Sequence, residues 1–168
     1  MKKLVLVMTL FLLLFTACST ENEKDLIEKG TQQLQEKNYA EAVKTYEELV
    51  QNFPDKEEAG YAYLEMAKLY QGRALKNVTE RNSYLKAIEY YKKVYNDYSQ
   101  MEEAPGAMFM TGFLQANEIN DIESARETYS LFLENYPDHE LAPSAKSELD
   151  NLGLTPEEIL EKAVVKPE

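Results

Sequence analysis

The chain repeats itself, and this limits what it can fold into more than any other feature. Ala42-Val43-Lys44-Thr45-Tyr46 aligns with Ala125-Arg126-Glu127-Thr128-Tyr129, and with no gap Asn52-Phe53-Pro54-Asp55 falls on Asn135-Tyr136-Pro137-Asp138. Glu57 and Ala59 then fall on Glu140 and Ala142. A third copy lies between them, at Ala87-Ile88-Glu89-Tyr90-Tyr91 and Asp97-Tyr98-Ser99, with Ser99 in place of the proline. Units that recur at this spacing cannot bury their apolar faces alone. They stack, each covering the next, as a solenoid.

Apolar spacing divides each unit into two helices. In the first unit Leu26, Ile27, Gly30 and Leu34 mark the first helix, Lys37-Asn38-Tyr39 the turn, and Ala40 to Phe53 the second helix. Pro54 stops that helix, because proline lacks the N–H needed to continue it. Tyr63, Met66, Ala67 and Tyr70, then Tyr84, Ala87, Ile88, Tyr91, Val94 and Tyr95, mark the second pair. Met108, Gly112 and Gln115, then Ile122, Ala125, Tyr129, Phe132 and Leu133, mark the third. Gly30, Ala67 and Gly112 share one place in the first helix, and Ala42, Ala87 and Ala125 share one in the second. Small side chains there let the two backbones approach, and Tyr46, Tyr91 and Tyr129 are expected to fill the space toward the next pair.

These residues resemble the tetratricopeptide repeat: a small residue in the first helix, an aromatic at the turn, Ala then Tyr in the second helix, proline after it. The resemblance covers roughly Lys24 to Leu152. It implies an all-α fold, a tetratricopeptide-repeat α-solenoid of about three helix-pair repeats plus C-terminal capping helices. The expected limits are 25–153 for the repeat domain, with units at about 25–56, 60–100 and 104–138 and a capping helix at 141–152. The Phe/Tyr-Pro-Asp ending resembles the subgroup found in bacterial envelope proteins of the BamD and CpoB type. BamD-type proteins carry more repeats than three, and the coiled coil of CpoB-type proteins has no counterpart before Leu26.

The resemblance also implies a concave groove lined by the first helices, where a peptide or partner helix binds. The residues expected there are Ile27, Thr31, Leu34, Tyr61, Leu64, Lys68, Gln71, Phe109, Phe113 and Asn117. They are apolar and aromatic with a few polar groups, which suits an apolar segment or an amphipathic helix. A carboxylate clamp of the kind used by chaperone cofactors needs Lys, Asn and Arg; Ile27, Thr31, Leu64 and Lys68 occupy those places. The other reading of Phe109 and Phe113 is that they belong to the core or lie under the C-terminal helix.

Beyond the repeats, Thr155-Pro156-Glu157-Glu158 forms a capping box with proline at the first helical position. It predicts a short helix to about Ala163 within a 154–168 C-terminal segment. The second unit holds about eight extra residues around Asn77 to Tyr84, either a protruding loop or longer flanking helices.

The N-terminus carries an address. Lys2 and Lys3 precede an almost wholly apolar run from Leu4 to Phe15, then Thr16-Ala17-Cys18 and polar residues. About a dozen apolar residues are too few to span a bilayer, which takes roughly 20, but they suit a secretory signal. Residues 1–17 resemble a lipoprotein signal peptide ending in a bacterial lipobox, which implies lipidation at Cys18. A plain signal peptide cut after Ala17, leaving a free thiol, fits the same residues. Acyl chains stabilise membrane attachment by about 0.8 kcal/mol per buried methylene, and a tether as short as 18–24 spans about 13 Å. Ser19 after the cysteine resembles the pattern for outer-membrane sorting. The expected location is the bacterial cell envelope, anchored in the outer membrane and facing the periplasm.

Charge and chemistry narrow the function. The chain has 18 basic and 30 acidic residues; a cut before Cys18 removes two lysines and no acid, taking the net charge from −12 to −14. Nucleic-acid binding needs a basic face that displaces counterions from phosphate, so no nucleic-acid partner is expected. A single histidine, His139, expected to be solvent-exposed in the turn after Pro137, and one cysteine supply no metal cluster, and no phosphate loop or nucleophile elbow is present. The expectation is a scaffold or adaptor without enzyme activity, cofactor or metal, binding a protein partner in its groove and a membrane through Cys18. A BamD-like assembly subunit, an accessory subunit of a membrane enzyme complex, and self-association through the groove remain open.

Overall fold

The computed structural model describes residues 21–165; the leader, Cys18 and the last three residues lie outside them. Within that span the regular elements are eight helices: α1 (Glu23–Gln35), α2 (Tyr39–Asn52), α3 (Glu57–Gln71), α4 (Glu80–Asp97), α5 (Ala104–Asn117), α6 (Ile122–Asn135), α7 (Ala142–Asn151) and α8 (Pro156–Val165). Each helix from α1 to α6 packs on its successor, and α1 also reaches α3, which puts these two first helices on the same side of the stack. The chain forms a helical solenoid.

The same turn joins every pair to the next. Phe53, Tyr98 and Tyr136 end α2, α4 and α6 at φ −134, −128 and −133° with ψ 52, 43 and 53°. Their N–H groups donate to the carbonyls of Leu49, Val94 and Phe132, four residues back. Their own carbonyls accept from Lys56, Met101 and His139 at 3.1, 3.0 and 3.2 Å, and the carbonyls of those three accept from Ala59, Ala104 and Ala142. The second turn follows this path with Ser99 where the others have proline. Proline is therefore compatible with this helix end but not required for it; the aromatic residue and the three hydrogen bonds set the turn's shape.

Inside each pair the contact runs differently from expectation. The tyrosines lie across the small residue of their own first helix. A Cβ built on Gly30 would meet the Tyr46 ring, and one on Gly112 would stand 2.9 Å from the Tyr129 ring. Tyr46 and Tyr129 are fully buried, as are Ala67 and, nearly so, Tyr91, their counterparts in the second unit. The glycines thus make room for a ring within the pair, and the aromatics are not spacers toward the next.

A second contact recurs beside it. Thr45 Oγ1 donates to Gln33 Oε1 at 2.8 Å in the first pair, and Thr128 Oγ1 to Gln115 Oε1 at 2.7 Å in the third. The corresponding residues of the second pair are Tyr70 and Tyr90, whose ring centroids stand 5.6 Å apart. A polar bond has become an aromatic contact, and the extra residues lie next to it. They divide between a connector and a longer helix: α4 has 18 residues against 14 in α2 and α6, and its Thr79 cap accepts from Asn82 N–H. The connector does not protrude. Leu75 and Val78 pack against the main core cluster.

At the C-terminal end α7 repeats the start of a first helix. Ala142 and Ala145 sit where α3 has Ala59 and Ala62 and α5 has Ala104 and Ala107, and all six are buried. α8 opens on the expected capping box, with Thr155 N–H donating to Glu158 Oε2 at 2.7 Å and Glu158 N–H to Thr155 Oγ1 at 3.3 Å. Lys162 Nζ ties it to the Asp150 carbonyl at 2.7 Å. Leu160 and Val164 are 67% and 84% exposed, so α8 does not fill the place of a second helix.

Candidate functional site

The repeat register defines the solvent-facing row of the first helices. Tyr61, Glu65 and Lys68 occupy it on α3; Gly106, Met110 and Phe113 are their counterparts on α5, where Asn117 extends the row by a turn, and Glu28 and Thr31 occupy it on α1. Spacings of three and four residues place each set on one helix face. Each of these residues is exposed or half-buried.

The ten groove residues expected from sequence separate on this row. Thr31, Tyr61, Lys68, Phe113 and Asn117 lie on it, with Phe113 half-buried against the main core cluster. Ile27, Leu64 and Phe109 share the neighbouring register position, which turns toward the core. Leu64 is buried, a correction to its expected place in the groove. Phe109 meets Tyr129 and Phe132 edge-on, at 5.7 and 6.2 Å between centroids, and is half-buried in the third pair's core. Ile27 is half-buried against the main cluster. Leu34 and Gln71 lie at the ends of α1 and α3; Leu34 packs on the core, and Gln71 Oε1 accepts the Tyr91 hydroxyl at 2.5 Å. Glu28, Glu65, Gly106 and Met110 were missed. Gly106 lies one repeat on from Tyr61, and Glu65 lies four residues after it, with Glu28 and Met110 one repeat to either side of Glu65.

The floor beneath this row is made of tyrosine hydroxyls. Tyr46 Oη lies 3.5 Å from Thr31 Oγ1. Burial raises its pKa, against the smaller effect of the Thr31 hydrogen bond. Burial pushes Tyr91 up to about 12, with Glu65 adding to the shift. Tyr129 is also pushed well above the usual phenol range by burial, then by Glu148 of α7, and its hydroxyl has no hydrogen-bond partner among the described residues. Neutral phenols in apolar surroundings hold their protons because the charged form loses its hydration.

Two local environments differ along the row. α5 carries no charged side chain from Ala104 to Asn117, so Met110 and Phe113 form an uncharged strip beside Gly106, where a Cβ would meet nothing within 4 Å. At the start of α3, Tyr61 is 38% exposed and surrounded by carboxylates. Glu103 first, then Glu57, raise its pKa. Gly60 explains the crowding. Its missing side chain lets Met101 and Tyr98 of the turn before α5 pack directly against α3, which brings Glu102 and Glu103 beside Tyr61. Glu103 Oε2 is buried with no hydrogen-bond partner among the described residues.

Nothing in this row forms a reactive centre. Among the described residues there is no group of three or more His, Cys, Asp or Glu side chains that could hold a metal. His139 is half-buried in the last turn: its Nδ1 accepts Leu141 N–H at 3.1 Å, and its ring stands edge-on to Phe132 at 5.9 Å. It braces the turn that leads into α7 and is not a solvated turn residue. No helix among the described residues is long and apolar enough to cross a membrane.

The family profile for the tetratricopeptide repeat matches residues 28–56 and 106–139, the first and third pairs with their closing turns. The pair between them carries the longer connector and the Tyr70–Tyr90 contact. No curated protein matches the chain. With the helix order and stacking above, the fold is a tetratricopeptide-type helical solenoid, and repeats of this kind serve as protein-interaction scaffolds.

Proposed function

We propose that the protein is a lipid-anchored adaptor of the bacterial cell envelope that holds a protein partner along its first-helix row. The observation that carries this reading is the uncharged face of α5. A helix bordered by water on one side normally spends that side on charged residues; α5 has none, and Met110 and Phe113 are half-buried there, packed on the main core cluster with the rest of each side chain open to solvent. An open apolar strip on a rigid scaffold suits a partner that covers it. The leader and Cys18 supply the address: residues 1–17 have the order of an export signal, and a diacyl or triacyl anchor on Cys18 would keep the solenoid near the membrane surface, at the outer membrane on the periplasmic side.

Two experiments test the two halves. A photo-crosslinking residue at position 113, expressed in full-length protein and activated in intact envelopes, should trap a discrete partner, while one at Glu123, outside the row, should not. Equal products from both positions would remove the groove from the proposal. Recovery of barrel-assembly subunits would identify the BamD-like role, subunits of an enzyme complex the accessory role, and only the chain itself a self-associating scaffold. For the anchor, Cys18→Ala should abolish labelling by a fatty-acid probe and leave an unprocessed precursor. Labelling that persists would refute lipidation at this residue.

A further inference from the structure

The groove reading can be taken one step further, to the chemistry of the occupant. We infer that the partner is a cationic amphipathic segment, its apolar side lying on Met110 and Phe113 and its lysine or arginine side chains reaching Tyr61, Glu57, Glu102 and Glu103. This rests on the adaptor proposal and names what the adaptor holds.

Charge complementarity along one unpartnered face favours this occupant. The lysines near the row are already used: Lys68 pairs with Glu65 at 2.7 Å and Lys29 with Glu21 at 2.9 Å. Among the described residues no lysine or arginine pairs with Glu57, Glu102 or Glu103. The row therefore offers an apolar strip with uncompensated carboxylates at one end. Close packing at Gly60 holds those carboxylates there, and crowding like charges costs free energy that an incoming cation would recover. Tyr61 adds an exposed ring face, which attracts ammonium and guanidinium groups. The empty space over Gly106 lies one repeat along from Tyr61 and leaves room for a side chain to pass from the strip to the carboxylates.

The competing occupant is α8 of a second copy. Its exposed Leu160 and Val164 would suit the strip. Its first turn brings Glu157 and Glu158, and Glu161 follows, against one lysine, Lys162. Docking would set these acids against those around Tyr61, and like charges across an interface oppose binding.

Two synthetic peptides test the inference. They share one leucine-alanine helical stripe and differ only in carrying lysine or glutamate on the other face. By fluorescence anisotropy against the full chain at low salt, the lysine peptide should bind at least about tenfold tighter than the glutamate peptide. Added salt should erode the difference. Met110→Lys should abolish binding. Glu102→Gln with Glu103→Gln should weaken it and flatten its salt dependence, with circular dichroism confirming that both variants stay folded. Lysine-peptide binding unaffected by Met110→Lys would be surface electrostatics and would overturn the inference. Equal binding of both peptides that Met110→Lys abolishes would overturn the cationic partner and leave the groove intact. Binding of neither, or a dimer in sedimentation lost in Leu160→Glu, would also overturn it. The position-113 crosslink then decides separately whether the groove itself survives.

Discussion

The ring-over-glycine contact makes a quantitative claim about three substitutions of the same kind. Gly30→Ala would place a methyl 2.8 Å from Cδ1 and Cζ of Tyr46 and closer still to Cε1. Tyr46 is fully buried, so its ring has nowhere to withdraw. Overpacking of this sort costs about 1–3 kcal/mol, and the deep overlap argues for the upper part. Replacing a helical glycine by alanine returns about 1 kcal/mol of helix propensity, leaving a net loss of about 1–2 kcal/mol. Gly112→Ala meets the Tyr129 ring at 2.9 Å, a milder approach, so the two effects nearly cancel. Gly106→Ala meets nothing and keeps the propensity gain, up to about 1 kcal/mol of stabilisation. The assay is denaturant unfolding followed by helical circular dichroism, with amide exchange in α1 and α2 reporting the first pair, since a solenoid loosens unit by unit. The order of stability should be Gly106→Ala above parent, Gly112→Ala near parent, Gly30→Ala below. In a Tyr46→Val background Gly30→Ala should turn neutral or stabilising. If Gly30→Ala matches or exceeds Gly106→Ala in the native background, the close approach does not exist as described.

Other consequences can be measured on the same protein. Thr128→Val removes the donor to the buried Gln115 and should cost about 1–2 kcal/mol, while the double change Thr128→Val with Gln115→Leu should recover part of that loss in the same unfolding assay. Burial holds the phenols of Tyr91 and Tyr95 up to about 12, above the unfolded value near 10. The unfolded chain therefore gives up these protons first. Stability should be level below about pH 10 and fall by about 1.4 kcal/mol per pH unit for each such tyrosine between about 10 and 12. Tyrosinate absorbance assigned to Tyr91 and Tyr95 by difference from their phenylalanine variants, rising before helicity is lost, would contradict this. Thr155→Ala removes the side-chain half of the α8 cap and should cost about 1 kcal/mol locally. It should speed amide exchange in α8 while leaving the unfolding midpoint of the repeats in place, because α8 contributes little packing to them.

What the sequence made legible follows from what repeats. Alanine, tyrosine and proline recur at fixed spacing, and anything set by one helix against its partner recurs with them. The division of each unit into two helices and the capping box at Thr155 could be read this way, because each depends on residues a few positions apart. The misplacements have another cause. Ile27, Leu64 and Phe109 share a register position that lies at the boundary between core and solvent. Which side it falls on depends on how far neighbouring pairs are rotated, and that is fixed by contacts between units, not by periodicity within one. Leu64, closed in by its neighbours, went fully inside. His139 looked like a solvated turn residue because its Leu141 bond and its two aromatic neighbours come together only when the turn folds.

The second unit shows the same limit from the other side. Its Tyr70 and Tyr90 replace a hydrogen bond that the first and third pairs keep, and two rings need more width than a threonine and a glutamine. The connector residues Leu75 and Val78 pack against the core cluster that holds both rings, and α4 gains a turn over α2 and α6. The extra residues and the aromatic pair therefore form one adjustment. Shortening the connector alone should strand Tyr70 in solvent, whereas shortening it together with Tyr70→Gln and Tyr90→Thr should restore the contact of the flanking units. Only the combined change is expected to keep cooperative unfolding. If the shortened connector unfolds as cooperatively with both tyrosines in place, insertion and ring pair are independent, and the second unit's departure from its neighbours needs a different cause.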